Sequence, residues 1–259
     1  APDGAWVDHV AYQDEEGWPP EADGQGPSLE RLHPEMPSSQ PASWTAGPPG
    51  GTPGRKNQNA IPSPLPVVTD VRHDPVTPAS YQSVWIRGRV IHNRPLQAVY
   101  LFYKEEDMAA YVQVEMFDDG LRGDEQAGDG IYGGEIPGFR NGQIIEFYIR
   151  AVDEAGQEGL FPLERAGKPA IYLVDDSVYS TSLPLYRIVM RAKDERTLRT
   201  RSVTSNEQLP ATFISGTDVF YNVGVRFRGK GSRYAEPKSY RVDFTASRHF
   251  GTVRKMNLN

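Results

Sequence analysis

Val219-Phe220-Tyr221-Asn222-Val223-Gly224-Val225-Arg226-Phe227-Arg228-Gly229-Lys230-Gly231-Ser232-Arg233-Tyr234-Ala235-Glu236-Pro237-Lys238-Ser239-Tyr240-Arg241-Val242-Asp243-Phe244 is the stretch from which the rest of the chain is read. Val219, Tyr221, Val223, Val225 and Phe227 alternate with Asn222, Gly224, Arg226 and Arg228, the period-2 pattern of a strand with one buried and one polar face. Tyr240, Val242 and Phe244 alternate again after the break, so the spacing predicts a hairpin with a basic, glycine-rich tip. Arg226, Arg228 and Arg241 then project toward one polar face. Over 222–259 nine Lys or Arg stand against two Asp or Glu, whereas the whole chain has 28 against 34. The positive charge is local, and a local surplus of this kind points to a held anion.

The rest of the composition sets bounds. A chain of 259 residues has room for two or more domains of ~100–200 residues. The net charge of -6 argues against nucleic acid as a partner of the whole chain, because that partner requires a dominant basic surface. No apolar run approaches the ~18 residues of a membrane span. Without cysteine there is no disulfide, thiolate zinc site or cysteine nucleophile. The chain opens Ala1-Pro2-Asp3, its first methionine is Met36, and no charged-then-apolar leader stands at the front. It reads as a fragment or a processed form.

Residues 1–60 carry nine Asp or Glu against three Lys or Arg and are rich in Pro, Gly and Ser. Val7, Val10 and Tyr12, then Trp18, Leu29, Leu32 and Trp44, predict two short strands joined by turns rather than a linker that buries little. Residues 61–66, broken by Pro and Ser, form a candidate linker. Strand-like segments follow at 67–71, 81–91, 98–103, 111–116, 131–136, 143–152 and 169–174, with Gly, Asn and Asp turns between them. This spacing predicts an antiparallel sandwich of immunoglobulin or fibronectin type over 67–175, a module that more often spaces than catalyses. Residues 184–190 and 209–214 read as further strands and 193–201 as a charged helix. The terminal region, 176–259, is therefore an α+β lobe.

Between two of the sandwich strands, Asp118, Asp119, Asp124 and Asp129 share a loop with four glycines. Carboxylates on a tightly folding backbone suit a hard cation such as Ca²⁺, and the same residues cap turns and take positive φ without any ion. The spacing is not that of an EF-hand. Arg122-Gly123-Asp124 spells an integrin-type tripeptide, which chance explains in a loop of this composition. His9, His33, His73, His92 and His249 show no ligand spacing, and no nucleophile-elbow motif occurs. Gly229-Lys230-Gly231-Ser232 offers unblocked backbone N–H groups to an anion without being a Walker or ordinary kinase loop.

Gly224-Val225-Arg226-Phe227-Arg228-Gly229, Ser232, Lys238-Ser239-Tyr240-Arg241 and Phe244, with Pro210-Ala211-Thr212-Phe213 before them and Phe250-Gly251 and Met256-Asn257-Leu258-Asn259 after, resemble the opening of the spore-coat CotH kinase family. The resemblance covers about the last third of the chain. It implies an atypical protein kinase that uses ATP and Mg²⁺ on a surface or coat protein, with Lys238 approaching the phosphates and Arg226, Arg228 and Arg241 supporting them. The family's acidic catalytic motifs lie beyond Asn259, so no catalytic residue is assigned within this chain. Val-Asp-x-Val-x-Tyr, Trp-Pro, Asp-Gly-x-Gly-Pro-Ser-Leu-Glu and Gly-Thr-Pro-Gly in 1–60 resemble the closing half of a bacterial lamin-tail-like domain. The expected architecture is mainly β: immunoglobulin-like antiparallel sandwich modules followed by a truncated α+β kinase-like small lobe. The resemblances imply a bacterial protein outside the cell or on its surface; the alternative is a non-catalytic adhesion or scaffold protein with a degenerate terminal lobe. In either case the lobe is expected to be the least stable part, with the apolar faces of 219–227 and 240–244 uncovered and open to proteolysis.

Overall fold

A computed structural model of the chain describes residues 9–10, 12, 17–124, 126–164, 167–229, 231–245 and 248–259. Expectations resting on Val7, Glu125 and Lys230 lie outside these residues. Strands take 41% of the chain and helices 8%, so the protein is mainly β with several antiparallel sheets.

At the front, β1 (Pro27–Arg31) pairs antiparallel with β2 (Trp44–Pro49), as the short apolar segments there predict. Eight strands follow: β3 (Val67–Asp74), β4 (Val84–Ile91), β5 (Leu96–Glu105), β6 (Val112–Met116), β7 (Ile131–Ile136), β8 (Ile144–Asp153), β9 (Glu158–Phe161) and β10 (Ala170–Leu173). They form two sheets, β3-β4-β7 and β10-β8-β5-β6, with β9 also paired to β8. Ile86, Ile136, Leu101, Phe147 and Ile149 meet between the sheets and are fully buried, each contributing ~1.5–3 kcal/mol of burial. Seven of these strands match the predicted segments. β9, four residues long, is too short to show a period.

The 61–66 segment has no regular structure but is not a free tether. Ser63, Pro64 and Pro66 are buried, Ile61 N–H donates to Leu32 O, and the Pro66 carbonyl lies so close to β9 that a Cβ on Gly159 would come within 1.9 Å of it. Only glycine fits there.

The terminal region contains β11 (Tyr186–Val189), α1 (Ala192–Thr200), β12 (Leu209–Ser215), β13 (Asp218–Phe227), β14 (Tyr240–Asp243) and β15 (Lys255–Leu258), and its strands lie in chain order in one antiparallel sheet. The predicted single apolar face of 219–227 is corrected here. Thr212 of β12 stands opposite both Tyr221 and Asn222, between the register pairs Ala211↔Val223 and Phe213↔Phe220, and Asn222 takes φ 53°. This β-bulge inverts the alternation midway. Val219 and Tyr221 join the core of the sandwich, whereas Val223, Val225 and Phe227 pack on the other side with Leu198 of α1 and Phe244.

The expected uncovered faces are accordingly covered: Val219, Tyr221, Val223, Val225, Phe227, Val242 and Phe244 are all buried. The sheet docks on the sandwich through Val189, Ile214, Val219 and Tyr221. Polar groups pin the seam: Thr212 Oγ1 donates to Ile171 O at 2.8 Å, Asn222 Nδ2 to Lys168 O at 3.1 Å, and Tyr221 O–H bonds His73 Nδ1 at 2.5 Å. Beside it, Arg191 approaches Asp194 at 2.6 Å and Glu146 at 3.9 Å. Sandwich and lobe share one core.

Candidate functional site

The hairpin of β13 and β14 puts Arg226 directly opposite Arg241, so both guanidiniums stand on one face. Arg241 is held by Asp243 two residues on, through Nε at 2.7 Å and Nη2 at 3.3 Å. Asp243 also accepts Gln208 Nε2 at 2.6 Å. Among the described residues Arg226 donates only to a backbone carbonyl, Phe227 O, at 3.0 Å. Partial burial, and then the cations of Arg241 and Arg233, push its proton affinity below the usual guanidinium range. Like charges crowded in a partly dry setting are relieved by an anion.

The other predicted contacts diverge from this pair. Arg228 donates to Asn259 Oδ1 at 2.8 Å. Lys238 turns back onto the loop, donating to Arg233 O at 2.9 Å, pairing with Glu236 at 3.2 Å and lying 5.7 Å from the Phe227 ring centre. Of the four predicted phosphate contacts, Arg226 and Arg241 are brought together and Arg228 and Lys238 are engaged elsewhere. Arg233, which the pattern does not single out, is buried: it ties the loop to Val203 O, Ser205 O and Asn206 Oδ1, while its Nε has no partner among the described residues. Its sole sequence signal is that it interrupts a glycine-rich tip with one more cation.

The acidic loop uses its carboxylates locally. Asp118 accepts the N–H groups of Gly128, Asp129 and Gly130, at 2.6, 3.3 and 2.9 Å. Asp119 accepts those of Leu121 and Arg122 and pairs with the Arg122 guanidinium at 2.8 Å. Asp124 accepts Gly120 N–H at 2.8 Å, and Asp129 accepts Ile131 N–H at 2.9 Å. Among the described residues no three acidic or histidine side chains are grouped as for a metal ion. Asp124 is 4% exposed, so the tripeptide Arg122-Gly123-Asp124 does not present its carboxylate. No helix of the described residues is long and apolar enough to cross a membrane.

A third feature was not legible in the sequence. An open cavity of about 910 Å³ lies where the front strand pair, the sandwich and the terminal sheet meet, with walls that include Trp18, Trp44, Asp70, Leu160, Gln208 and Asn222.

No protein-family model matches the chain, and no curated protein does. Among solved structures, one described as "Myokine structure" is 12% identical, with 44% of this chain matched to 98% of that one at a TM-score of 0.28. The cycloalternan-forming enzyme from Listeria monocytogenes, in complex with a pentasaccharide substrate, is 12% identical over 69% of this chain at a TM-score of 0.30. The cycloalternan-degrading enzyme from Trueperella pyogenes is 13% identical over 61% at a TM-score of 0.26. The chain spans 14% and 18% of the lengths of these two enzymes. Similarity of this degree assigns neither fold nor activity.

Proposed function

We propose that the terminal sheet is the phosphate-binding small lobe of an atypical, CotH-like protein kinase, carried on β modules of a bacterial surface or secreted protein. The observation that carries this reading is the Arg226–Arg241 pair: two guanidiniums stand opposite each other across β13 and β14, and Asp243 pairs with Arg241 and Lys255 rather than with Arg226. A polyphosphate placed between them gains charge-assisted bonds to planar donors that match its oxygens. Lys238 adds a third cation only by giving up both Glu236 and its bond to the Arg233 carbonyl. In such a kinase Mg²⁺ would be held, and the acceptor hydroxyl oriented, by acidic residues that the family resemblance places after the stretch 222–259. The partner is a protein hydroxyl on a surface or coat protein.

Titrating the 259-residue chain with ATP and with sodium tripolyphosphate tests the site. The reading expects affinity that falls with added salt and drops about tenfold or more in Arg226→Ala and Arg241→Ala, since a charge-assisted bond contributes ~1.5–3 kcal/mol. In the full-length protein the same variants should lose phosphotransfer. Unchanged nucleotide affinity and unchanged transfer in both variants would overturn it. The adhesion or scaffold reading has one observation in its favour, the continuous core from sandwich to lobe, which makes a rigid spacer; it expects no nucleotide affinity at all.

A further inference from the structure

The three-way cavity has features the hairpin lacks. Among the described residues, three non-glycines adopt left-handed backbone, and two of them, Asp70 at φ 50° and Asn222 at φ 53°, line this cavity. Each sits at a bulge: Asn222 in β13 as above, and Asp70 in β3, where the register slips between Thr69↔Arg89 and Arg72↔Arg87. Glycine would take either conformation without strain. Asp and Asn tolerate this backbone better than other non-glycines, and at both positions, on strands from different modules, they bring a polar side chain to the cavity wall.

The chemistry of the walls selects a ligand class. Charged residues on the lining balance, with Asp70, Glu164 and Glu207 against Arg72, Lys168 and Arg248, so the cavity does not favour a polyanion. Trp18 and Trp44 stand with ring centres 6.5 Å apart, and Trp44 is fixed by its indole N–H bonding Ser38 O at 2.8 Å. Gln40 contributes an amide, which both donates and accepts, and Asn222, whose Nδ2 donates to Lys168 O, contributes its amide oxygen as an acceptor. Trp18 is 3% exposed, so the half-buried Trp44 supplies the aromatic face; one such face beside amide and carboxylate groups matches a ligand with apolar C–H faces rimmed by hydroxyls, and the volume accommodates several rings. We propose that this cavity binds a neutral oligosaccharide.

The test is isothermal titration of the 259-residue chain with the hexasaccharides of cellulose, amylose and chitin, and with tripolyphosphate as the anionic probe. At least one hexasaccharide should bind with an affinity that high salt leaves unchanged. Asp70→Gly and Asn222→Gly keep the left-handed backbone while deleting the polar groups; each should weaken binding about threefold to tenfold, the effect of one hydrogen bond, with no fall in Tm for Asp70→Gly and a fall for Asn222→Gly, which also loses the seam bond to Lys168 O. Trp44→Ala should weaken it about tenfold or more through the lost ring face. Arg241→Ala should leave it unchanged, which separates this site from the hairpin. The proposal is overturned if no hexasaccharide binds at millimolar concentration, if binding survives all three cavity variants, or if tripolyphosphate is the sole probe that binds.

Discussion

The acidic loop at 118–130 and the basic hairpin of β13 and β14 are both charge clusters on glycine-rich turns, yet they differ in what neutralises them. In the loop, Asp118, Asp119, Asp124 and Asp129 each accept backbone N–H groups supplied by the loop itself. Carboxylates are acceptors and a tight turn is full of unpaired donors, so the cluster largely bonds its own backbone, with Asp124 Oδ1 buried and without a partner among the described residues. Arginines are donors, and a paired strand offers few free carbonyls. Among the described residues Arg226 therefore keeps a single backbone partner beside two other cations. The two clusters therefore differ: the loop's carboxylates bond its own backbone, whereas Arg226 stands beside two other cations.

The largest test of this contrast is Asp118→Ala. Removing the acceptor of three N–H groups should cost about 2–3 kcal/mol, each orphaned donor losing ~1 kcal/mol, read as a lower Tm or denaturant midpoint. A near-neutral Asp118→Ala would break the contrast.

Acid gives an effect of similar size by a route that touches neither cluster. His73 lies at the seam that holds the hairpin's sheet, and its burial lowers its pKa from 6.5 to about 4. The unfolded chain takes up that proton first, so the contribution is complete above about pH 6.5 and is lost as pH falls toward 4. The difference of about 2.5 units corresponds to ~3 kcal/mol. Urea melts between these pH values should show the loss, and His73→Asn should flatten the slope. An unchanged slope in that variant would move the effect to other groups.

Arg226→Ala is the counterpart of Asp118→Ala and should change stability by no more than ~0.5 kcal/mol, because its deletion relieves like-charge crowding while weakening anion binding. A loss of stability comparable to that of Asp118→Ala would make Arg226 structural. The smallest effect expected is that of Ca²⁺. Millimolar Ca²⁺ should shift Tm by less than ~1 °C, since only a ligand bound by the native state raises it; a larger shift would show that the loop's oxygens turn to a cation.

Much of this was legible in the chain. Alternation located seven sandwich strands, and the charged run 193–201 anticipated α1 to within a residue. The consecutive apolar Phe220-Tyr221 before Asn222, a residue that tolerates left-handed backbone, was a visible sign of the bulge that the simple alternation of 219–227 passes over. β9 and β15 are too short for periodicity to register. Arg233 could not be distinguished from its neighbours, because its importance comes from burial against 203–206.

The sequence by itself determined the mainly-β character, the positions of most strands but not of β9 and β15, and the concentration of positive charge after Asn222, since these depend on local alternation, turn residues and a count of charges. Tertiary structure alone decided three things: that the lobe shares the sandwich's core, that Arg226 and Arg241 converge while Arg228 and Lys238 do not, and that Asp70 and Asn222 meet across a cavity. Each depends on register and on packing between segments far apart in the chain. A one-residue bulge reverses every side chain after it, and no local pattern states where such a strand will find its partner.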